Sequence, residues 1–150
     1  MDKIDRKIIG LLAADSRRSL ADIGGAVGLA PSSVNERIRR LSDARAIRRF
    51  TVEVDPVAIG TPITAFIWIE IRNDEEGFRR DAAAHPDIAE CHHVTGAWSY
   101  LLKVRVETIA GIEGFLTELK AKGQIGRSET FLALSTVKDA VIPPPLNGED

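Results

Sequence analysis

Cysteine, tyrosine and long apolar runs are what this chain has least of. Its 150 residues include one cysteine, Cys91, one tyrosine and one methionine. A single thiol excludes an internal disulfide framework. No stretch approaches the roughly 20 consecutive apolar residues that span a bilayer. The opening MDKIDRK lacks the apolar run of a signal peptide. These absences predict a cytoplasmic protein that makes no membrane contact. No internal repeat of about 20 to 50 residues stands out. Biased composition is confined to the PPPLNGED tail, residues 143–150, which is expected to be extended or disordered. What remains, 44% hydrophobic and 28% charged residues, is an ordinary globular composition, sufficient here for two small cores.

The charge is divided unevenly. Residues 1–54 hold 11 Lys and Arg against 7 Asp and Glu, whereas residues 55–150 hold 9 against 15, so a net charge of −2 hides a basic first segment. A basic module of this kind is the electrostatic footprint of a nucleic-acid partner.

Within that segment, residues 20–47 read LADIGGAVGLAPSSVNERIRRLSDARAI. Leu20, Ile23 and Val27 recur at helical spacing, and Val34, Ile38 and Leu41 do so again after Gly28 and Pro31. Pro31 suits the first position of the second helix, where its missing donor would be unpaired in any case. The spacing predicts a helix-turn-helix with Ser32, Ser33, Glu36, Arg37 and Arg40 turned away from the burial stripe. Such a face meets base edges with its first turns and phosphates with its Arg and Ser side chains. Ile4, Ile8, Leu11 and Leu12 predict a further amphipathic helix that completes a trihelical core, with Asp2 as its N-cap. Residues 48–54 (RRFTVEV) alternate like a strand and predict a wing.

Two prolines and a glycine in residues 55–62 (DPVAIGTP) interrupt regular structure and mark a linker. Beyond it the pattern predicts strand 63–72, helix 75–85, strand 88–95, strand 99–107, helix 108–122 and strand 127–138. The expected organisation is therefore a winged helix-turn-helix over 1–54, a linker over 55–62, a ferredoxin-like βαββαβ domain over 63–138 and a tail over 139–150, an α+β fold. In the first of these strands Ile63, Ala65, Ile67, Ile69 and Ile71 share one face. Thr64, Phe66, Trp68 and Glu70 share the other, and two large aromatics facing water predict a homodimer through Phe66 and Trp68. A dimer also sets two recognition helices roughly 34–36 Å apart, as an operator requires.

Taken together, the opening DKIDRKIIGLLAADSR, the segment LADIGGAVGLAPSSVNERIRRL, AIRRFTVEVDPVAIG, the hairpin VTGAWSYLLKV and the strand SETFLALSTVKD resemble the Lrp/AsnC (feast/famine) transcriptional regulators over residues 2–138. The resemblance implies a DNA-binding domain joined to a domain that dimerises, assembles further into octamer-like forms and often binds an amino acid. It places Ser32, Ser33, Asn35, Glu36, Arg37 and Arg40 at DNA-facing positions, with Arg39 within reach of phosphate; Arg48 and Arg49 add backbone contacts. It also implies an effector pocket built from Gly96, Ala97, Trp98, Ser99 and Tyr100 together with Ser128, Glu129 and Thr130. Three departures stand out. Ala30 replaces a capping serine, Arg45 replaces a helix-closing glycine, and Ser99 replaces an aspartate, which removes one acceptor for a ligand ammonium.

Two other chemistries have candidate residues in this sequence. Cys91, His92 and His93 are metal-ligand types, but adjacent strand residues point to opposite faces, so no metal site or cofactor is expected. The architecture also resembles sirohaem decarboxylases, which are rich in His and Arg around the segment matching 94–104. That segment contains neither residue here, and no catalytic residue is assigned. A small-molecule sensor without DNA binding is the remaining alternative.

Overall fold

The computed structural model describes residues 1–138. They fall into two compact units, residues 1–52 and 53–137.

The first unit contains α1 (Lys3–Ala14), α2 (Leu20–Val27) and α3 (Pro31–Asp43). Each begins where the local chemistry directs. Asp2 caps α1 in a reciprocal box: its carboxylate accepts the Asp5 N–H at 2.7 Å, and the Asp5 carboxylate accepts the Asp2 N–H at 3.0 Å. Ser19 caps α2 by accepting the Asp22 N–H. At α3, Ala30 makes no side-chain cap and Pro31 alone sets the start, so the lost cap predicted from Ala30 is observed. Ile8, Ile23 and Val34, one from each helix, are fully buried, and Ile4, Leu11, Leu12, Val27, Leu29 and Ile38 pack around them.

The expected wing is absent among the described residues: residues 44–62 contain neither helix nor strand. Phe50, Val52 and Val54 do alternate, but they are exposed. A strand requires a neighbour for its backbone groups, and the four strands described here all pair with one another in the second unit.

That second unit runs β1 (Ile63–Ile71), α4 (Glu75–Ala84), β2 (Ile88–His93), β3 (Tyr100–Val106), α5 (Ile109–Ala121) and β4 (Ile125–Leu132). The antiparallel sheet has the order β2-β3-β1-β4. In register, Ala65 faces Val104, Ile67 faces Leu102 and Ile69 faces Tyr100. All six are buried beneath Phe78 and Ala82 of α4 and Ile112, Phe115 and Leu119 of α5. The apolar face expected for β1 is therefore the core face. The last strand begins two residues earlier than expected and ends at Leu132, because an irregularity at Glu70/Ile71 lets Ile125 join the ladder. The predicted tail, residues 139–150, lies outside the described residues.

Candidate functional site

The helix-turn-helix depends on close backbone approach. A Cβ at Gly24 would stand 2.5 Å from the Leu29 carbonyl oxygen, so only glycine fits where α2 meets the turn. Gly28 ends α2 in the left-handed conformation at φ 72°. The apolar spacing located the turn, but the contact at Gly24 is legible there only as an unexplained Gly-Gly pair inside a helix.

Ser32, Ser33, Asn35, Glu36, Arg39 and Arg40 lie exposed along α3, and Arg48 and Arg49 are exposed beyond it. Arg39 donates to Glu36 at 2.9 Å, an exposed pair. Arg37 departs from the expectation. Its Nη1 donates to Asp2 Oδ2 at 2.6 Å and to Asp5 Oδ1 at 2.7 Å, which turns the guanidinium toward α1 and away from the exposed face. The reason lies in helix geometry. Position 37 follows the buried Val34 by three residues, so it flanks the burial stripe, and a side chain as long as arginine reaches across to the neighbouring helix. Burial alone would raise the Asp5 carboxyl, but the Asp2 backbone N–H and the Arg37 guanidinium outweigh it, so its pKa lies below the usual carboxylate value. The Asp5 N–H, followed by Arg37, lowers Asp2 as well. Arg45 adopts φ 56°, the left-handed conformation a glycine would take without strain. Among the described residues, Cys91, His92 and His93 join no group of three ligating side chains.

In the second unit the candidate effector residues divide between the two faces of the sheet. Tyr100 is buried. Its hydroxyl donates to Glu75 Oε1 at 2.7 Å and accepts from Arg79 Nε, and its ring packs against Phe78 and His93, each with centroids 4.9 Å away. That Tyr100 hydrogen bond, followed by the one from Arg79, lowers the Glu75 pKa. The Ser99 hydroxyl accepts the Ile71 N–H at 3.1 Å while its own N–H donates to the Ile69 carbonyl at 2.8 Å. Ser99 thus ties the hairpin to β1. Ser128 pairs with Ile69 and Thr130 with Ile67 on the helix-covered face, whereas Glu129 pairs with Trp68 on the open face. Gly96, at φ 106°, and Ala97 form the exposed tip. The Arg127 guanidinium lies 4.1 Å from the Trp98 ring centroid and 3.4 Å from Glu70 Oε2. The structure therefore gathers Trp98, Arg127 and Glu70 beside Glu129, and leaves Tyr100, Ser128 and Thr130 on the opposite face. Arg127 was missed in the sequence because it adjoins the expected segment without resembling it. Phe66 is 37% exposed and Trp68 half-buried, next to Phe131 of β4 on the open face. Among the described residues no helix is long and apolar enough to cross a membrane.

Residues 1–42 match the family model described as the AsnC-type helix-turn-helix domain, and residues 64–142 match the Lrp/AsnC ligand binding domain. The transcriptional regulator LrpC of Bacillus subtilis is 32% identical over 137 residues, covering 91% of this chain and 95% of that protein. FL11 of Pyrococcus horikoshii is 30% identical over 145 residues, 96% of each chain. Among solved structures, an AsnC family regulator from Agrobacterium tumefaciens superposes with TM-score 0.87 at 30% identity, over 94% of this chain and 95% of that one. A Neisseria meningitidis transcriptional regulator in complex with L-Met superposes with TM-score 0.90 at 25% identity, over 98% and 97%.

Proposed function

Because the chain belongs to the Lrp/AsnC family of HTH-type transcriptional regulators and carries that family's ligand-binding domain, we propose that its DNA contacts come from the exposed face of α3. Ser32, Ser33, Asn35, Glu36, Arg39 and Arg40 meet the major groove, and Arg48 and Arg49 bind phosphate. The observation that carries this assignment is the exposure of these six side chains on a helix whose opposite stripe is closed by Val34, Ile38 and Leu41. Phosphate neutralisation supplies the salt-dependent part of the affinity, and a side chain of this face bonded to a base edge adds about 1–3 kcal/mol of discrimination. The relatives it matches are regulators, which sets aside the tetrapyrrole enzyme.

The functional division is residues 1–54 for DNA, 55–62 as linker and 63–138 for effector and assembly, in a protein acting in the cytoplasm. Copies pair through the open sheet face at Phe66 and Trp68, and dimers assemble further. Trp68→Asp is expected to leave a monomer in sedimentation runs; a dimer there rules this face out. The effector is an amino acid held beside the hairpin by Gly96, Ala97, Trp98 and Glu129, with Ser99, Tyr100, Ser128 and Thr130 shaping the site from behind. The L-Met complex of the Neisseria regulator supports this class. A thermal-shift screen headed by L-Met tests it, and the absence of any shift at millimolar concentrations counts against a responsive site. The decisive experiment is fluorescence anisotropy on a duplex from upstream of the protein's own gene, against an unrelated duplex, at two salt concentrations. A preference for the first duplex that weakens with salt is expected; equal or absent binding to both refutes recognition of that sequence.

A further inference from the structure

Asp5 is a carboxylate only 2% exposed, and two arginines of α3 converge on it. Its Oδ1 accepts from Arg37 Nη1 at 2.7 Å and its Oδ2 accepts the Asp2 N–H at 3.0 Å, while Arg40 Nη2 lies 3.3 Å from both oxygens. The two arginines are not equivalent. The Arg37 side chain is 23% exposed and also grips Asp2 at 2.6 Å, whereas the Arg40 side chain is 62% exposed and both its contacts are long.

A buried carboxylate stripped of its partner is strongly destabilising, but Asp5 keeps Arg37 and a backbone N–H when Arg40 leaves. The Arg40 contacts are long, at 3.3 Å, and its side chain lies largely in water, so they contribute less to stability than the short Arg37 bond. Arg40 can therefore exchange Asp5 for a DNA acceptor without leaving a buried charge unpaired. Arg37 is the costlier to move, since its departure removes the 2.7 Å bond to Asp5 and the 2.6 Å bond to Asp2 together and leaves Asp5 only the long Arg40 contacts and one backbone N–H. We infer that Asp5 is a positioning residue for DNA reading, which fixes α3 through Arg37 and holds Arg40 in a displaceable contact from which it passes to DNA. The inference rests on α3 being the DNA-reading helix. It goes beyond that reading in dividing two neighbouring arginines into one that stays and one that moves, and in giving a carboxylate of α1 a hold over DNA affinity. DNA must compete with Asp5 for Arg40, so Asp5 restrains binding to any sequence.

The test uses the full chain, with anisotropy against the upstream and unrelated duplexes across a salt series and a melting curve for each variant. Arg40→Ala is expected to lower the slope of log K against log salt by about 0.9 for each recognition helix engaged, with an unchanged melting temperature. Asp5→Asn, close to isosteric, is expected to tighten binding to the unrelated duplex several-fold and to reduce the preference for the upstream one. Arg37→Ala lowers the melting temperature, and Arg37→Lys recovers part of it. An Arg37→Ala protein that melts like the wild type but loses salt slope overturns the inference, because Arg37 then touches phosphate. So does an Arg40→Ala slope equal to the wild type, or an Asp5→Asn affinity for unrelated DNA within twofold of it. Should Asp5→Asn or Arg37→Ala fail to fold, the Arg40→Ala slope decides alone. Wild-type protein that binds neither duplex at low salt overturns the DNA-reading assignment and this inference together; wild-type binding with failing variants overturns only the latter.

Discussion

The helical unit closes around three fully buried aliphatic side chains, Ile8, Ile23 and Val34, whereas the sheet unit closes around twelve buried residues contributed by both helices and two of its strands. At about 1.5–3 kcal/mol for each large buried side chain, the sheet unit draws its stability from one continuous apolar layer and keeps its Tyr100–Glu75–Arg79 network at the margin. The helical unit places a carboxylate at the junction of α1 and α3 and relies on a capping box and ion pairs to hold them. A small core leaves the orientation of α3 to polar contacts, whereas the lowered carboxyls of the sheet unit, Glu75, Asp81 and Glu90, lie outside its apolar layer.

Four changes test that contrast. Both tryptophans, Trp68 and Trp98, belong to the sheet unit, so their fluorescence reports its unfolding. Phe78→Ala, removing a fully buried ring, is expected to cost that unit about 3–5 kcal/mol in a denaturant titration. A small loss would mean its core is less continuous than it looks. Gly24→Ala drives a Cβ into the Leu29 carbonyl and is expected to cost the helical unit about 1–3 kcal/mol, read by circular dichroism at 222 nm. Acid provides a subtler separation. Asp2 and Asp5 have lowered pKa values in the folded state, so the unfolded chain binds protons first as pH falls. Their contribution is complete above the ordinary carboxylate pKa of about 4 and is lost as pH drops through the folded values. Asp5→Asn is expected to flatten the acid limb of the helical unit and leave the fluorescence-reported limb in place; equal flattening in both would erase the contrast. Smallest is Arg45→Gly, which relieves a left-handed residue after α3 and is expected to stabilise the helical unit by about 0.5–1 kcal/mol.

Much of this was legible in the residues. Apolar spacing located the three helices, and alternation in ITAFIWIEI told the core face of β1 from its open face, because both signals depend on which side of an element meets the interior. Spacing fails where the deciding partner is distant in sequence. The ties from Arg37 to Asp2 and Asp5 span 35 and 32 positions, and no periodicity reveals where a long side chain will reach. The wing failed for a related reason, since alternation in RRFTVEV describes a strand's faces but cannot supply the neighbour its backbone requires. The split of Ser128 and Thr130 from Glu129 was within reach, because period-two geometry separates adjacent strand residues by rule. There the resemblance to a family pocket grouped residues that the pleat divides. Ser99 and Tyr100 were assigned by the same resemblance, and the structure shows the first bound to the Ile71 N–H and the second in the core.

The order of the sheet leaves β2 and β4 as its two borders. Unpaired borders invite strand addition from other molecules and, from there, runaway aggregation. Here Glu90, His92 and His93 punctuate one border and Arg127 and Glu129 the other, all exposed. Any approaching strand must bring or strip charge at alternate positions before its backbone can pair. Charge along its rims therefore discourages edge-to-edge growth of this sheet into fibres.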